Sequence, residues 1–366
     1  YFISKMSKII ETRNLFVNTD NTLIGECRNT TLSLPQGLMM CRENEQMRIT
    51  LNSFAMRNSW YRLNKYNTVF YIVAFDTSTS SVKHARVKID EGNYTSFTGT
   101  NGLNKAIKVA METALTTFSI TTPSCDVLYD EITNRITISF ETAVGGTLVD
   151  LKLVTFTINT FNPQSSSTNI IEQILEGNED DAFNNTFEMM GGCYEKRDVL
   201  EGTEPEQLEQ LTSMYNVTQV GLLYTFEGLF NATLQTEENI YLRTNLHSSS
   251  YQTAGFDSGS TLYPNIVSSQ ILAKIPLNNP VFAFVKETKD SAEVGEFNYE
   301  RPYELVKYSD NGNNMYSILL ESKAVSTLRL FVTDSYGRLI PEISLAQIAC
   351  NAMSFTASLR IDVFEK

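Results

Sequence analysis

The sequence predicts a mainly β protein: two jelly-roll-like β-sandwich domains with a few short helices. Three observations carry this expectation. Charged residues make up only 19% of the 366 positions, below the usual quarter. The polar surface therefore falls largely to Asn, Thr and Ser, which favour strands and turns over helices. Several segments alternate apolar and polar residues with a period of two, whereas amphipathic helical stripes are few.

Taken in order, Met6 begins a run, MSKIIETRNL, that reads as a natural start, with residues 1–5 upstream of it. Strands are expected over 47–54, 68–75 and 82–89. A helix is expected over 103–118, where Leu103, Ile107, Ala110, Met111, Ala114 and Phe118 lie on one stripe. A hairpin follows over 127–140, turning at Thr133-Asn134, and then a strand over 147–158. The stretch 162–181 has a different character. Asn162-Pro163-Gln164-Ser165-Ser166-Ser167 is a loop composition, a short helix over 169–176 stops at Gly177, and 176–181 is acidic. The domain boundary is therefore placed there: an N-terminal sandwich over 6–160, a linker over 161–182 and a C-terminal sandwich over 183–366. In the second half, Thr203 and Glu206 stand at capping-box spacing with Pro205 in the first turn. Strands are expected over 217–226, 240–246, 271–277 and 281–285. Another runs over 326–333 and turns through Asp334-Ser335-Tyr336-Gly337 into Arg338-Leu339-Ile340. The last strand is the clearest. Met353, Phe355, Ala357, Leu359, Ile361 and Val363 alternate with Ser354, Thr356, Ser358, Arg360 and Asp362, which requires one buried face. Roughly eight strands per half fit a jelly roll, although periodicity does not separate that from another Greek-key sandwich.

Composition also excludes function classes. A net charge of −13 supplies no general basic surface for neutralising phosphates, so no specific nucleic-acid partner is expected. The longest apolar runs, such as 69–75, are strand-sized and far short of a membrane span. Cys27, Cys41, Cys125, Cys193 and Cys350 are odd in number and scattered without a C-x-x-C pair, a pattern that suits a reducing compartment.

No catalytic constellation emerges. His84 sits in an alternating stretch that places it on the solvent face of a strand, and His247 begins a Ser-rich loop. Two isolated histidines build no local zinc signature and no Cys–His dyad with a recognisable motif. Phosphate-cradling loops and a nucleophile elbow are missing, and the Gly145-Gly146 and Gly191-Gly192 pairs read as turns. Asp257-Ser258-Gly259-Ser260 matches half of an aspartic-protease dyad, but the second triplet that the chemistry needs is missing, so a coincidental turn is the reading. Glu179-Asp180-Asp181 lacks EF-hand spacing and reads as a solvated linker. Trp60-Tyr61 and Tyr71 offer a stacking platform for a glycan on one reading and core positions on the other. No enzyme, catalytic residue, cofactor or metal is expected, and no interface residue is nominated.

Several strings together resemble the minor capsid proteins of large icosahedral DNA viruses of algae and other protists, and virion proteins of polinton-like elements. They are RNLFVN (13–18), LPQGL (34–38), MRITL (47–51), SFAMRNSWY (53–61), FEMMGGCYEKR (187–197), IYLRTNL (240–246), SSQILAKIPL (268–277) and FVTDSYGRLIP (331–341). GNYTSF (92–97), a helix and VLYDEITNRITIS (127–139) resemble a helix-plus-hairpin insertion in the N-terminal module of such proteins. The resemblance implies jelly-roll domains and a non-enzymatic role, bridging or cementing major-capsid capsomers, often on the inner face of the shell. It implies the major capsid protein and other minor capsid proteins as partners, leaves contact with an inner viral membrane open, and places assembly in host cytoplasm. The alternatives are a penton protein at the five-fold vertices and, from a different class, a carbohydrate-binding jelly-roll module.

Overall fold

The computed structural model describes residues 8–21, 25–57, 60–99, 101–118, 125–142, 147–156, 169–197, 200–234, 237–246, 251–253, 266–268, 270–277, 305–310, 316–341 and 353–365. The first segment carries strands β1 (Ile9–Asn18), β2 (Gly25–Glu26), β3 (Asn29–Ser33) and β4 (Glu45–Arg57). The middle of the chain carries β5 (Val69–Asp76), β6 (Ser81–Lys88), α1 (Leu103–Thr116), β7 (Cys125–Asp130), β8 (Arg135–Glu141) and β9 (Leu148–Val154). It continues through α2 (Ile170–Leu175), α3 (Thr186–Met190), α4 (Glu204–Gln210), β10 (Asn216–Val220) and β11 (Leu223–Glu227). The last part carries β12 (Asn239–Thr244), β13 (Tyr251–Thr253), β14 (Ile266–Ser268), β15 (Ile271–Pro276), β16 (Leu305–Ser309), β17 (Ser317–Leu320), β18 (Thr327–Thr333) and β19 (Phe355–Glu365). The fold is mainly β with a few short helices, as the composition predicts. Among the described residues no helix is long and apolar enough to cross a membrane.

The chain does not part at 161–182. It forms two compact units, residues 1–60 together with 237–366, and residues 61–236 between them. The expected linker lies inside the second unit. Ile170, Ile171, Ile174 and Leu175 of α2, with Ala182, are buried in one cluster with Val69, Tyr71, Val73, Val154 and Leu208. Local polarity marks surface turns, but which strands pair is decided by contacts hundreds of residues apart, and composition does not record those.

The first unit is a β-sandwich. One sheet has the order β1-β19-β4-β16, with β17 also on β4, and the other has the order β15-β12-β18-β3-β2. Their inner faces share one core: Met47, Ile49 and Leu51 of β4 and Leu359, Ile361 and Val363 of β19 from one sheet, with Ile240, Leu242, Ile275, Leu328, Leu330 and Val332 from the other. The alternation read in the last strand is the one found. Phe355, Ala357, Leu359, Ile361 and Val363 are buried, and a bulge falls between Ser358 and Leu359. Each large buried side chain contributes about 1.5–3 kcal/mol. The Asp334 turn also forms as expected, with Gly337 at φ +84° and its N–H donating to the Asp334 carbonyl (3.2 Å).

The second unit has two sheets, β6-β5-β9 and β10-β11-β8-β7. Helix α1 buries Leu103, Ile107, Ala110, Met111, Ala114 and Leu115 in a core that takes in Phe70, Ile72, Val87, Ile136, Ile138, Phe140, Tyr224 and Phe226. The opposite face of β5 meets α2 and α4 in the cluster already described. Burial on both faces explains why β5 is an unbroken apolar run rather than an alternating one. The expected strand over 217–226 is instead the hairpin β10–β11. Gly221 at φ +64° and Leu222 form its two-residue turn, and a glycine with positive φ in the first turn position matches the right-handed twist of the flanking strands. The expected strand over 281–285, along with His247, Asp257-Ser258-Gly259-Ser260 and Cys350, lies outside the described residues.

Candidate interaction surface

The buried charged residues hold the fold together. Asp181 is not part of a solvated acidic linker, as its sequence context suggests. It is 7% exposed, it accepts two bonds from the Arg86 guanidinium (2.6 and 2.8 Å), and it accepts the Tyr71 hydroxyl (2.6 Å). Burial first, and then the Asp181 carboxylate, push the Tyr71 phenol far above its ordinary range. Glu195 is fully buried and accepts from the backbone N–H groups of Lys196, Arg197 and Thr212 as well as from the Arg197 side chain. Burial raises its pKa, but these donors outweigh that and leave it below the ordinary value. Both carboxylates are thus bonded to the protein's own donors and tie separate segments of the second unit together.

The remaining candidates also settle into structural places. His84 is exposed on β6, the position expected of it. Trp60 and Tyr71 are buried in separate cores, so the proposed stacking platform does not form from them. None of the four described cysteines forms a disulfide. Burial pushes the Cys125 thiol up to about 12, which makes it a poor nucleophile at neutral pH. Among the described residues no group of three His, Cys, Asp or Glu side chains stands close enough to hold a metal ion.

What the structure does present is an open sheet edge. All five residues of β10 are exposed, with Val217 at 37% and Val220 at 72%. Leu222 and Leu223 at the tip of the hairpin add further exposed apolar surface. Among the described residues β10 bonds only to β11. Val220 and Leu223 close the two-residue turn as a bonded pair, so Val217 and Gln219 direct their backbone N–H and C=O groups away from β11. The strand NVTQV carries neither the charge nor the proline that often protect an edge. Sequence reading missed this surface because it merged the two strands into one. The Gly221 turn signal was there to find.

No protein-family model matches the chain, and no curated protein does. Among solved structures, the chain is similar to a mavirus penton protein, with 10% identity over 97% of this chain and 99% of that one and a TM-score of 0.37. It is also similar to a chain of the Sputnik virophage structure, with 12% identity over 96% and 98% and a TM-score of 0.30. Both scores fall below the level that establishes a shared fold. The β-sandwich assignment stands on the sheets themselves, and the open edge of β10 stands on the geometry of its hairpin.

Proposed function

We propose that the chain is a structural component of a viral shell, a minor capsid protein that bridges or cements capsomers through hydrogen-bonded contacts with the major capsid protein and other minor capsid proteins. The observation that carries the reading is β10, an uncharged edge strand left open on a folded unit. Such an edge pairs readily with another chain, and a repeating shell gains from many weak contacts of this kind. The capsid-like strings of the sequence point the same way. The buried carboxylates also favour a scaffold over an enzyme, because each is already bonded to the protein's own donors. A carbohydrate-binding role has less support, since Trp60 and Tyr71 lie in cores. The reading places the protein in the virion, on the inner face of the shell, after assembly in host cytoplasm. A penton at the five-fold vertices is the alternative position.

The test is cryo-electron microscopy of purified particles from the source. Density for two β units between capsomers is the expected outcome, and density confined to the five-fold vertices selects the penton. A companion variant, Leu359→Asp, buries an unpaired carboxylate in the first unit's core and should abolish recovery of the protein in particles. Particles that form normally without the protein overturn the structural role.

A further inference from the structure

The second unit holds a groove of about 540 Å³ along the free edge of β6, with α1 as its other wall. Among the described residues β6 is the outer strand of its sheet and bonds only to β5. The direction of its backbone groups follows from two bonds. Ile89 N–H donates to the Thr68 carbonyl (2.8 Å), which turns odd-numbered residues toward β5. Val82 N–H donates outward to the Glu204 carboxylate (2.9 Å). His84, Arg86 and Lys88 therefore present their N–H and C=O groups to the open side. Arg86, Lys88 and Asp90 are the strand-side residues that line the groove.

The opposite wall is suited to receiving side chains. Ala106, Val109, Ala110 and Thr113 line it at one-turn spacing along α1. The alanines are small, and Val109 is 54% exposed. The charge in the groove is positive within a protein of net charge −13. Lys88 and Lys105 are exposed and have no ion-pair partner among the described residues. Arg86 is held in place by Asp181, and Asp90 is the one carboxylate in the lining. The amides at the start of α1 are already used, since Leu103 and Asn104 donate to the Ser96 and Phe97 carbonyls. The recognition elements are thus the edge and the lysines, not the helix terminus.

We propose that this groove takes an extended acidic segment of a neighbouring protein, which adds to β6 as a further strand. Three N–H and three C=O groups over His84, Arg86 and Lys88 bond to its backbone, Ala106 and Ala110 leave room for its apolar side chains, and Lys88 and Lys105 meet its carboxylates. Glu204 already demonstrates the chemistry at one end, where a carboxylate oxygen accepts the outward N–H of Val82. The inference deepens the shell role by naming a docking site.

The test uses the isolated full-length chain, so its failure is separate from failure of the particle test. The probes are fluorescein-labelled decapeptides of alternating Val and Glu, and of alternating Val and Lys, followed by anisotropy. The Val/Glu probe should bind, more weakly as salt rises, and should protect the His84, Arg86 and Lys88 amides from hydrogen exchange. His84→Pro removes one outward N–H without touching the β5 pairing, which an edge strand tolerates. The paired change Lys88→Glu with Lys105→Glu alters only exposed side chains. Each should weaken binding about tenfold or more while melting stays at the wild-type value. Absence of Val/Glu binding, preference for the Val/Lys probe, or binding unaffected by both sets of changes overturns the proposal.

Discussion

Asp362 lies on what the alternation marks as the polar face of the last strand, yet it is only 1% exposed. It accepts from the Thr12 hydroxyl (2.9 Å), Arg48 Nη2 (3.0 Å) and Arg360 Nε (3.2 Å), three residues on three adjacent strands. Burial raises its pKa, but the bonds from Arg48 and Thr12 outweigh that and hold it below the ordinary value. A carboxyl group depressed in the folded state stabilises above its unfolded pKa of about 4, and that stability disappears as pH falls through the folded value. Asp362→Asn should therefore cost about 1–3 kcal/mol at pH 7, on the scale of charge-assisted hydrogen bonds. The cost should shrink as pH falls below 4. Thermal melts at pH 7 and pH 3 check this, and equal melting of variant and wild type at pH 7 would show that the carboxylate contributes nothing. Alternation placed Asp362 on the correct face. It did not foresee burial there, because the arginine cover comes from β4 and from Arg360 on the strand itself, with Thr12 reaching across from β1.

At the scale of elements, two glycines with similar backbone angles separate conformation from close packing. Gly177 has φ +74° with nothing within 4 Å of where a Cβ would sit, whereas Gly191, at φ +67° after α3, would place a Cβ 2.3 Å from the Phe230 carbonyl oxygen. The left-handed region costs an L-residue about 1–2 kcal/mol. Gly177→Ala should lose about that much in a urea melt. Gly191→Ala should lose about 3 kcal/mol or more, because backbone must also move. Equal losses would mean that the Phe230 contact carries no weight. Elements whose signal is local were legible in the sequence. α1 showed its stripe, α4 its Thr203–Glu206 box, the 127–140 hairpin its turn at Asn134, and β19 its alternation. β1 and β3 were not, since IIETRNLFVN and NTTLS carry weak alternation and become strands by pairing with β19 and β18. The open edges of β6 and β10 were hidden for the same reason: an edge is defined by the neighbour it lacks.

The largest difference from the sequence-based expectation lies in how the whole chain is divided, and it yields the most decisive experiment. The sandwich of the first unit is closed by strands from both ends of the chain, β1 and β4 flanking β19, and β3 beside β18. The second unit has its own cores, built from residues between 61 and 236. A fragment over 61–236 should therefore fold alone and melt in one cooperative transition, since every described apolar residue of its two clusters lies within it. A fragment over 183–366, the C-terminal domain drawn from composition, should not. It keeps β18 and β19 but lacks β3 and β4, leaving the inner faces of Leu328, Leu330, Leu359 and Ile361 without their sheet neighbours. It also carries β10 and β11 without β8, on which β11 pairs Phe226 with Ile138. Circular dichroism melts and hydrogen exchange of the two fragments decide between the divisions. Cooperative melting with slow exchange in 61–236, beside broad melting and fast exchange in 183–366, is the expected result. The reverse pattern would place the boundary back at 161–182 and would require the strands of the first unit to pair differently.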